Sequence, residues 1–226
     1  MESISNTEEN YLKAIFKICE TDDRAASTNA IAQEMQTSAA SVSDMLKRLA
    51  KKQLIHYEKW KGVTLTDTGS QLATNLVRKH RLWEVFLKEK LQFTWDEVHE
   101  IAEQLEHIRS PKLIERLDQF LGHPKFDPHG DPIPDADGNF SYRKQIPLSS
   151  LKPGETGVIV GVQEHSPTFL QYLDRMKLVL GTRVRVMEQF EYDESVRLRV
   201  NDAQEILVSN KVSQNLFVEK APPSSK

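Results

Sequence analysis

Two strings bring imidazoles and carboxylates together at helical spacing: His80-Arg-Leu-Trp-Glu84 and His99-Glu-Ile-Ala-Glu103-Gln-Leu-Glu106-His107. Four residues apart, His80 and Glu84 share a helix face. At about 100° of rotation per residue, His99, Glu103, Glu106 and His107 fall within an arc of roughly 100°. Nitrogen and anionic oxygen donors converging without a thiolate suit a divalent ion such as Mn, Fe or Zn. The spacing does not match the usual metal enzymes. A zincin needs His-Glu-x-x-His, but His99-Glu100 leads to Glu103. A ferritin-like site needs paired Glu-x-x-His, but Glu103 leads to Glu106. Nucleophile elbows and phosphate loops do not occur. The expectation is a metal-binding protein that is not an enzyme and takes no small organic substrate.

These ligands must be held by elements, and the apolar periodicity supplies them. Glu8 to Cys19 is amphipathic, with Tyr11, Leu12, Ile15 and Phe16 at helical spacing. A short helix follows from Thr28, its expected N-cap, and a second runs from Ala39 to Lys51 after Thr37-Ser38. Two short helices joined by a tight turn read as a helix-turn-helix. Leu54 to Thr66 alternates as a β-hairpin with its tip at Lys59 to Gly62, a wing. Thr66 to about Leu91 reads as one long helix. Thr94 with Glu97 forms a capping box for a helix ending near Ser110, and Ser110-Pro111 opens another that Gly122 closes. Pro124 to Asn139 carries four prolines and two glycines, which excludes regular structure. Beyond it, Val158–Val162, Arg183–Val186, Val196–Val200 and Glu205–Val208 alternate as strands, with a helical insert from Phe169 to Leu180.

The chain of 226 residues has a net charge of −3, yet Thr37 to Leu65 holds six basic residues against two acidic ones. That local excess suits a phosphate backbone. Ser38, Ala39, Ala40, Ser41 and Ser43 are small enough to let a helix N-terminus approach the major groove closely, and Thr37 just before them is a further expected DNA contact. Ser41 and Ser43 can then touch base edges, Asp44 either faces a cytosine amine or turns away from the negative backbone, and Lys47, Arg48, Lys59 and Lys61 are expected to contact phosphates. The apolar surface of the three helices after the wing exceeds what they can hide on one another, so a homodimer is expected. Cys19 is the one cysteine and reads as a small buried residue. With no apolar run of 18 residues and no signal peptide, the expectation is a soluble cytoplasmic protein without membrane partners.

At this point the motifs match a known family. Thr7-Glu-Glu-Asn-Tyr-Leu, Arg78-Lys-His-Arg-Leu-Trp-Glu84, Val98-His99, Glu106-His107 and Pro128-His-Gly-Asp-Pro-Ile-Pro134 resemble the diphtheria-toxin-repressor family of metal-dependent bacterial repressors, in its manganese-regulator branch. The resemblance covers about Glu8 to Glu219. It implies an α+β multidomain fold: a winged-helix DNA-binding domain over 1–65, a helical metal-binding and dimerisation domain over 66–123, a proline-rich linker over 124–144, an SH3-like small β-barrel over 145–219 and a flexible tail over 220–226. It also implies two metal sites. His80, Glu84 and His99 correspond to an ancillary site, completed from the barrel by Glu164 or His165. Glu103, Glu106 and His107, with Asn10 on the first helix, correspond to the activating site. Glutamate at 103 fits the manganese branch, whereas Asn10 departs from the aspartate of that branch and the methionine of the iron branch, and Lys13 stands where some members carry an acid. His129, in the proline-rich segment, reads as structural or exposed rather than as a ligand.

The implied function is a repressor that Mn(II), or alternatively Fe(II), activates to bind palindromic double-stranded operator DNA and control metal-uptake genes; Zn(II), Co(II) or Ni(II) could bind in vitro. Without metal, Glu103 and Glu106 are expected to repel each other and to leave the first helix free to move. The alternative is a winged-helix regulator that metal does not gate, with another effector or a protein partner on the barrel.

Overall fold

The computed structural model describes residues 4–22, 24–58 and 61–221. Lys59, expected at the wing tip, and the tail beyond Ala221 lie outside them. The chain forms two compact units that interleave in sequence: residues 1–80, 103–114 and 134–140 in the first, and 81–102, 115–133 and 141–226 in the second.

In the first unit, α1 (Asn6–Asp22) starts at a reciprocal cap. The Ser5 N–H donates to Glu8 at 2.9 Å and the Glu8 N–H donates to Ser5 Oγ at 3.3 Å. The helix buries Tyr11, Leu12 and Ile15 in a core shared with Ile31, Val42, Leu46, Leu49, Leu54, Ile55 and Val63. Next come α2 (Thr28–Glu34) and α3 (Ala39–Lys51). The cap of α2 is Ser27, one residue earlier than expected, whose hydroxyl accepts from the Ala30 N–H at 3.0 Å. Ser38 caps α3. The wing pairs β1 (Ile55–Glu58) with β2 (Gly62–Leu65), Ile55 facing Leu65 and Glu58 facing Gly62. A single bridge from Ala26 to Val63 adds a third edge.

The long helix α4 (Asp67–Leu91) matches its expectation. The helix α5 (Val98–Leu105) keeps the Thr94–Glu97 cap, with Thr94 Oγ1 donating to Glu97 at 2.7 Å. It stops five residues short of the expected end near Ser110, so Glu106 and His107 stand in the turn that follows, where the Ile108 N–H reaches back only to the Leu105 carbonyl. After it, α6 (Pro111–Phe120) ends in left-handed Gly122 and His123.

In the second unit, β3 (Ile146–Pro147), β4 (Thr156–Val162), β5 (Arg183–Gln189), β6 (Val196–Val200), β7 (Gln204–Val208) and β8 (Leu216–Lys220) form one antiparallel sheet in the order β3-β8-β4-β5-β6-β7. Register shifts within β4 and β5 bend it. Along β6, Val196, Leu198 and Val200 face the core while Arg197 and Arg199 face out to Glu188 and Glu205. The helix α7 (Pro167–Arg175), capped by Ser166, closes this core with Phe169, Leu170 and Leu173. The alternation had identified four of the six strands; β3 has two residues, too few for a periodic signal. The proline-rich segment has no regular structure beyond one bridge, Phe126 to Pro132. It is nonetheless packed, with Asp127, His129 and Ile133 buried. No described helix is long and apolar enough to cross a membrane.

Candidate metal centre and nucleic-acid interface

Glu84 is the hub of the ligand-rich part of the second unit. It is 2% exposed on α4, and each of its oxygens faces an imidazole. Oε1 lies 3.3 Å from Nδ1 of His99, and Oε2 lies 3.7 Å from Nδ1 of His129. His129, read from the sequence as structural or exposed, is buried, because the segment carrying it is pinned on three sides. Its Nε2–H donates to the Trp95 carbonyl at 2.8 Å. Its carbonyl accepts from the Val162 N–H at 3.0 Å. Asp127 Oδ1 accepts the His129 and Asp131 N–H groups at 2.8 and 3.0 Å. Gly130 follows at φ +94°, where a Cβ would stand 2.2 Å from the Val160 carbonyl, so only glycine fits.

That pinning sets the chemistry. With Nε2 committed to a carbonyl, Nδ1 is the nitrogen turned toward Glu84, the arrangement in which a backbone acceptor fixes the tautomer of a metal-ligating histidine. One donor atom each from Glu84, Asp127 and His129 lie within 4.8 Å of one another. Such spacings are those of ligands about 2 Å from a shared ion. Glu84 and His129 fit a divalent cation; Asp127 is already held by two N–H groups and by Arg81 Nε at 3.6 Å, and it positions the loop. Burial tends to keep the His129 ring neutral, but the hydrogen bond and charge of Glu84 reverse this and raise its pKa to about 9. Burial, with the charges of Asp131 and Glu84, pushes the Asp127 carboxyl up. Of the two barrel residues named from the sequence, His165 stacks on His129 at 4.7 Å between ring centres. Glu164 instead accepts from Ser166 Oγ at 2.6 Å and lies 3.6 Å from Lys211.

In the first unit the remaining expected ligands line the seam between α1 and the turn after α5. Glu106, 1% exposed, takes Lys13 Nζ at 2.6 and 2.8 Å on its two oxygens and His80 Nδ1 at 2.6 Å. Lys13 also lies 3.5 Å from Glu103. His107 Nδ1 pairs with Glu9 at 2.6 Å, and Arg109 donates to the Ile4 carbonyl at 2.7 Å. The expected repulsion between Glu103 and Glu106, with a loose first helix, is therefore not what the structure has: an ammonium lies against both. Burial works against ionising Glu106, but the hydrogen bond from His80 and the charge of Lys13 prevail and hold its pKa below the ordinary carboxylate value. Asn10 Oδ1 is buried without a hydrogen-bond partner, as an oxygen awaiting a cation would be.

The exposed face of α3 carries Ser38, Ala40, Ser41, Asp44, Lys47 and Arg48, with Thr37 before it and Ser43 half-buried. Ser38 Oγ accepts the Ser41 N–H at 3.1 Å, and Ser43 Oγ donates back to the Ala39 carbonyl at 2.8 Å. Asp44 pairs with Lys47 at 3.0 Å, Arg48 lies 3.7 Å from Glu8, and Lys61 in the wing pairs with Glu58 at 2.6 Å. The sequence missed Asp127 as a positioning residue and the burial of His129; the Pro128-His-Gly-Asp-Pro motif was the available signal.

Three family models match successive segments: the iron dependent repressor N-terminal DNA binding domain over residues 3–63, the iron dependent repressor metal binding and dimerisation domain over 66–135, and the FeoA domain over 146–220. The iron-dependent repressor IdeR of Mycobacterium leprae is 29% identical over 198 residues, 82% of this chain and 86% of that one. Matches to some other curated relatives take in less than two thirds of their length. A solved manganese-dependent transcriptional repressor in complex with manganese is 34% identical, superposes with a TM-score of 0.84 and covers 95% of this chain and 100% of its own. ScaR with bound Zn2+ is 37% identical, with a TM-score of 0.74, 95% of this chain and 99% of its own.

Proposed function

Because this chain belongs to the iron-dependent repressor family, we propose that it is a metal-gated repressor that binds palindromic operator DNA as a homodimer and controls metal-uptake genes. The observation that carries the metal reading is Glu84, a buried carboxylate between two imidazole nitrogens, one of them aimed at it by a backbone hydrogen bond. Oxygen and nitrogen donors without sulfur favour Mn(II), with Fe(II) next; Zn(II), Co(II) and Ni(II) compete in vitro by raw affinity.

Two groups of residues would hold metal: Glu84, His99 and His129 with His80, and Glu103, Glu106 and His107 with Asn10. A bound divalent ion supplies positive charge to clustered carboxylates. The protein side of the switch is the seam at which Lys13, Glu9 and Ile4 on or before α1 meet Glu106, His107 and Arg109, since α1 shares one core with α3. A few kcal/mol of coupling there converts weak into strong operator occupancy. On DNA, Thr37, Ser38 and Ala40 would let the start of α3 approach the major groove, Ser41 and Ser43 would touch base edges with Asp44 on a cytosine amine or turned away, and Lys47, Arg48 and Lys61 would contact phosphates, a role the sequence also gives to Lys59.

The test is an anaerobic titration of operator binding with each metal after chelation. Manganese or iron should tighten binding, and Glu84→Ala together with His129→Ala should blunt the response. Operator affinity indifferent to chelation would instead support the regulator that metal does not gate.

A further inference from the structure

The seam between α1 and the turn after α5 contains a cation of the protein's own. Lys13 is 6% exposed, and its Nζ contacts both oxygens of Glu106, at 2.6 and 2.8 Å, and reaches Glu103 at 3.5 Å. Glu106 is 1% exposed; His80 Nδ1 lies 2.6 Å from its Oε2 and His107 Nε2 lies 3.8 Å from its Oε1. Lys13 is thus directed at the two carboxylates that the family resemblance assigns to a metal, from the helix that the metal is supposed to tether.

We propose that the Lys13 ammonium is a resident cation of the Glu103–Glu106 cluster: it joins α1 to the turn after α5 without metal, and a divalent ion enters only by displacing it. The physical reason is charge and space. Both oxygens of Glu106 are within hydrogen-bond distance of one ammonium, so an ion that ligates Glu106 meets like charge at close range unless Lys13 swings out. The long flexible stem of lysine lets it swing out, and doing so exposes a buried carboxylate to whatever replaces the ammonium. Metal binding at this cluster is then an exchange of cations, and Lys13 sets the metal concentration at which it happens. Asn10, whose buried Oδ1 has no hydrogen-bond partner, is the ligand that such an exchange would engage on the same helix.

The inference rests on the metal-gated reading only for the premise that Glu103 and Glu106 are accessible to a divalent ion, and its test involves no DNA. The metal-stripped full chain is titrated with Mn(II) by calorimetry in five forms: wild type, Lys13→Met, Lys13→Arg, Glu106→Gln and Lys13→Met with Glu106→Gln. Lys13→Met should gain one site, or bind at one site at least tenfold tighter than wild type. Lys13→Arg should show no gain, and Glu106→Gln should erase the gain. In chelator Lys13→Met should melt below wild type, and Mn(II) should raise its melting temperature more than it raises that of wild type. If Lys13→Met does not fold, Lys13→Gln takes its place, and wild type is compared directly with Glu106→Gln. Little loss of Mn(II) affinity in that comparison supports the resident cation. Equal Mn(II) affinity in wild type and Lys13→Met, at a site that Glu106→Gln removes from both, overturns it. Loss of operator response with the exchange intact would count against the gating reading alone.

Discussion

Glu84 and Glu106 show how a buried carboxylate takes its role from the group placed against it. Glu84 faces imidazoles, and His129 is thereby kept protonated up to about pH 9 in the metal-free protein. Its folded pKa lies above the ordinary value of 6.5, so the charged ring stabilises the fold. That contribution is complete below about pH 6.5 and is lost as the pH rises through about 9. Denaturant unfolding of metal-free wild type should show this loss, and His129→Gln should not. In Glu84→Gln the His129 ring should titrate well below the wild-type value, read from its ring-proton shifts; an unmoved titration would mean that Glu84 is not its partner. Glu106 behaves in the opposite sense. Its pKa is depressed, so its stabilisation is present above the ordinary value of 4.5 and is lost as the pH falls through the lowered one. The identities of these residues were legible as a ligand set. Their pairing was not, because Lys13 to Glu106 spans 93 positions and no periodicity relates them.

Elements hold these residues through a few backbone decisions. The loop carrying His129 depends on Gly130, where an added Cβ meets the Val160 carbonyl at a left-handed φ. Gly130→Ala should cost about 3 kcal/mol in denaturant unfolding, from overpacking plus backbone strain, and weaken metal binding in parallel. Ser38 sets the start of α3 by accepting the Ser41 N–H. Ser38→Ala should lower stability by about 1 kcal/mol and weaken operator binding. Lys47→Ala should weaken binding to specific and nonspecific DNA alike and reduce the salt slope by about one. Helix positions in this chain were readable because amphipathic periodicity and caps are local. The early end of α5 was not: the sequence keeps a helical pattern through His107, but those side chains are drawn to α1.

For the whole molecule, two cores account for the two units, one built on α1, α3 and the wing and the other on the sheet and α7. Phe120 on α6 is left 66% exposed, near Phe86 at 6.4 Å and under Lys90 at 5.7 Å. Proposed as part of the dimer contact, it gives a direct prediction: Phe120→Glu should weaken self-association at least tenfold in sedimentation, about 1.4 kcal/mol or more, without unfolding either unit. A wild-type chain that stays monomeric at working concentration would remove that role.

The sequence alone determined the winged helix, the long helix, the sheet and the ligand-bearing residue types, because periodicity, caps and motif spacing are short-range properties of the chain. Only the tertiary structure decided that His129 is buried against Glu84 and that Lys13 lies between the carboxylates expected to bind metal. Both depend on segments distant in sequence meeting in a desolvated place, where each charge must find whichever partner the packing brings to it.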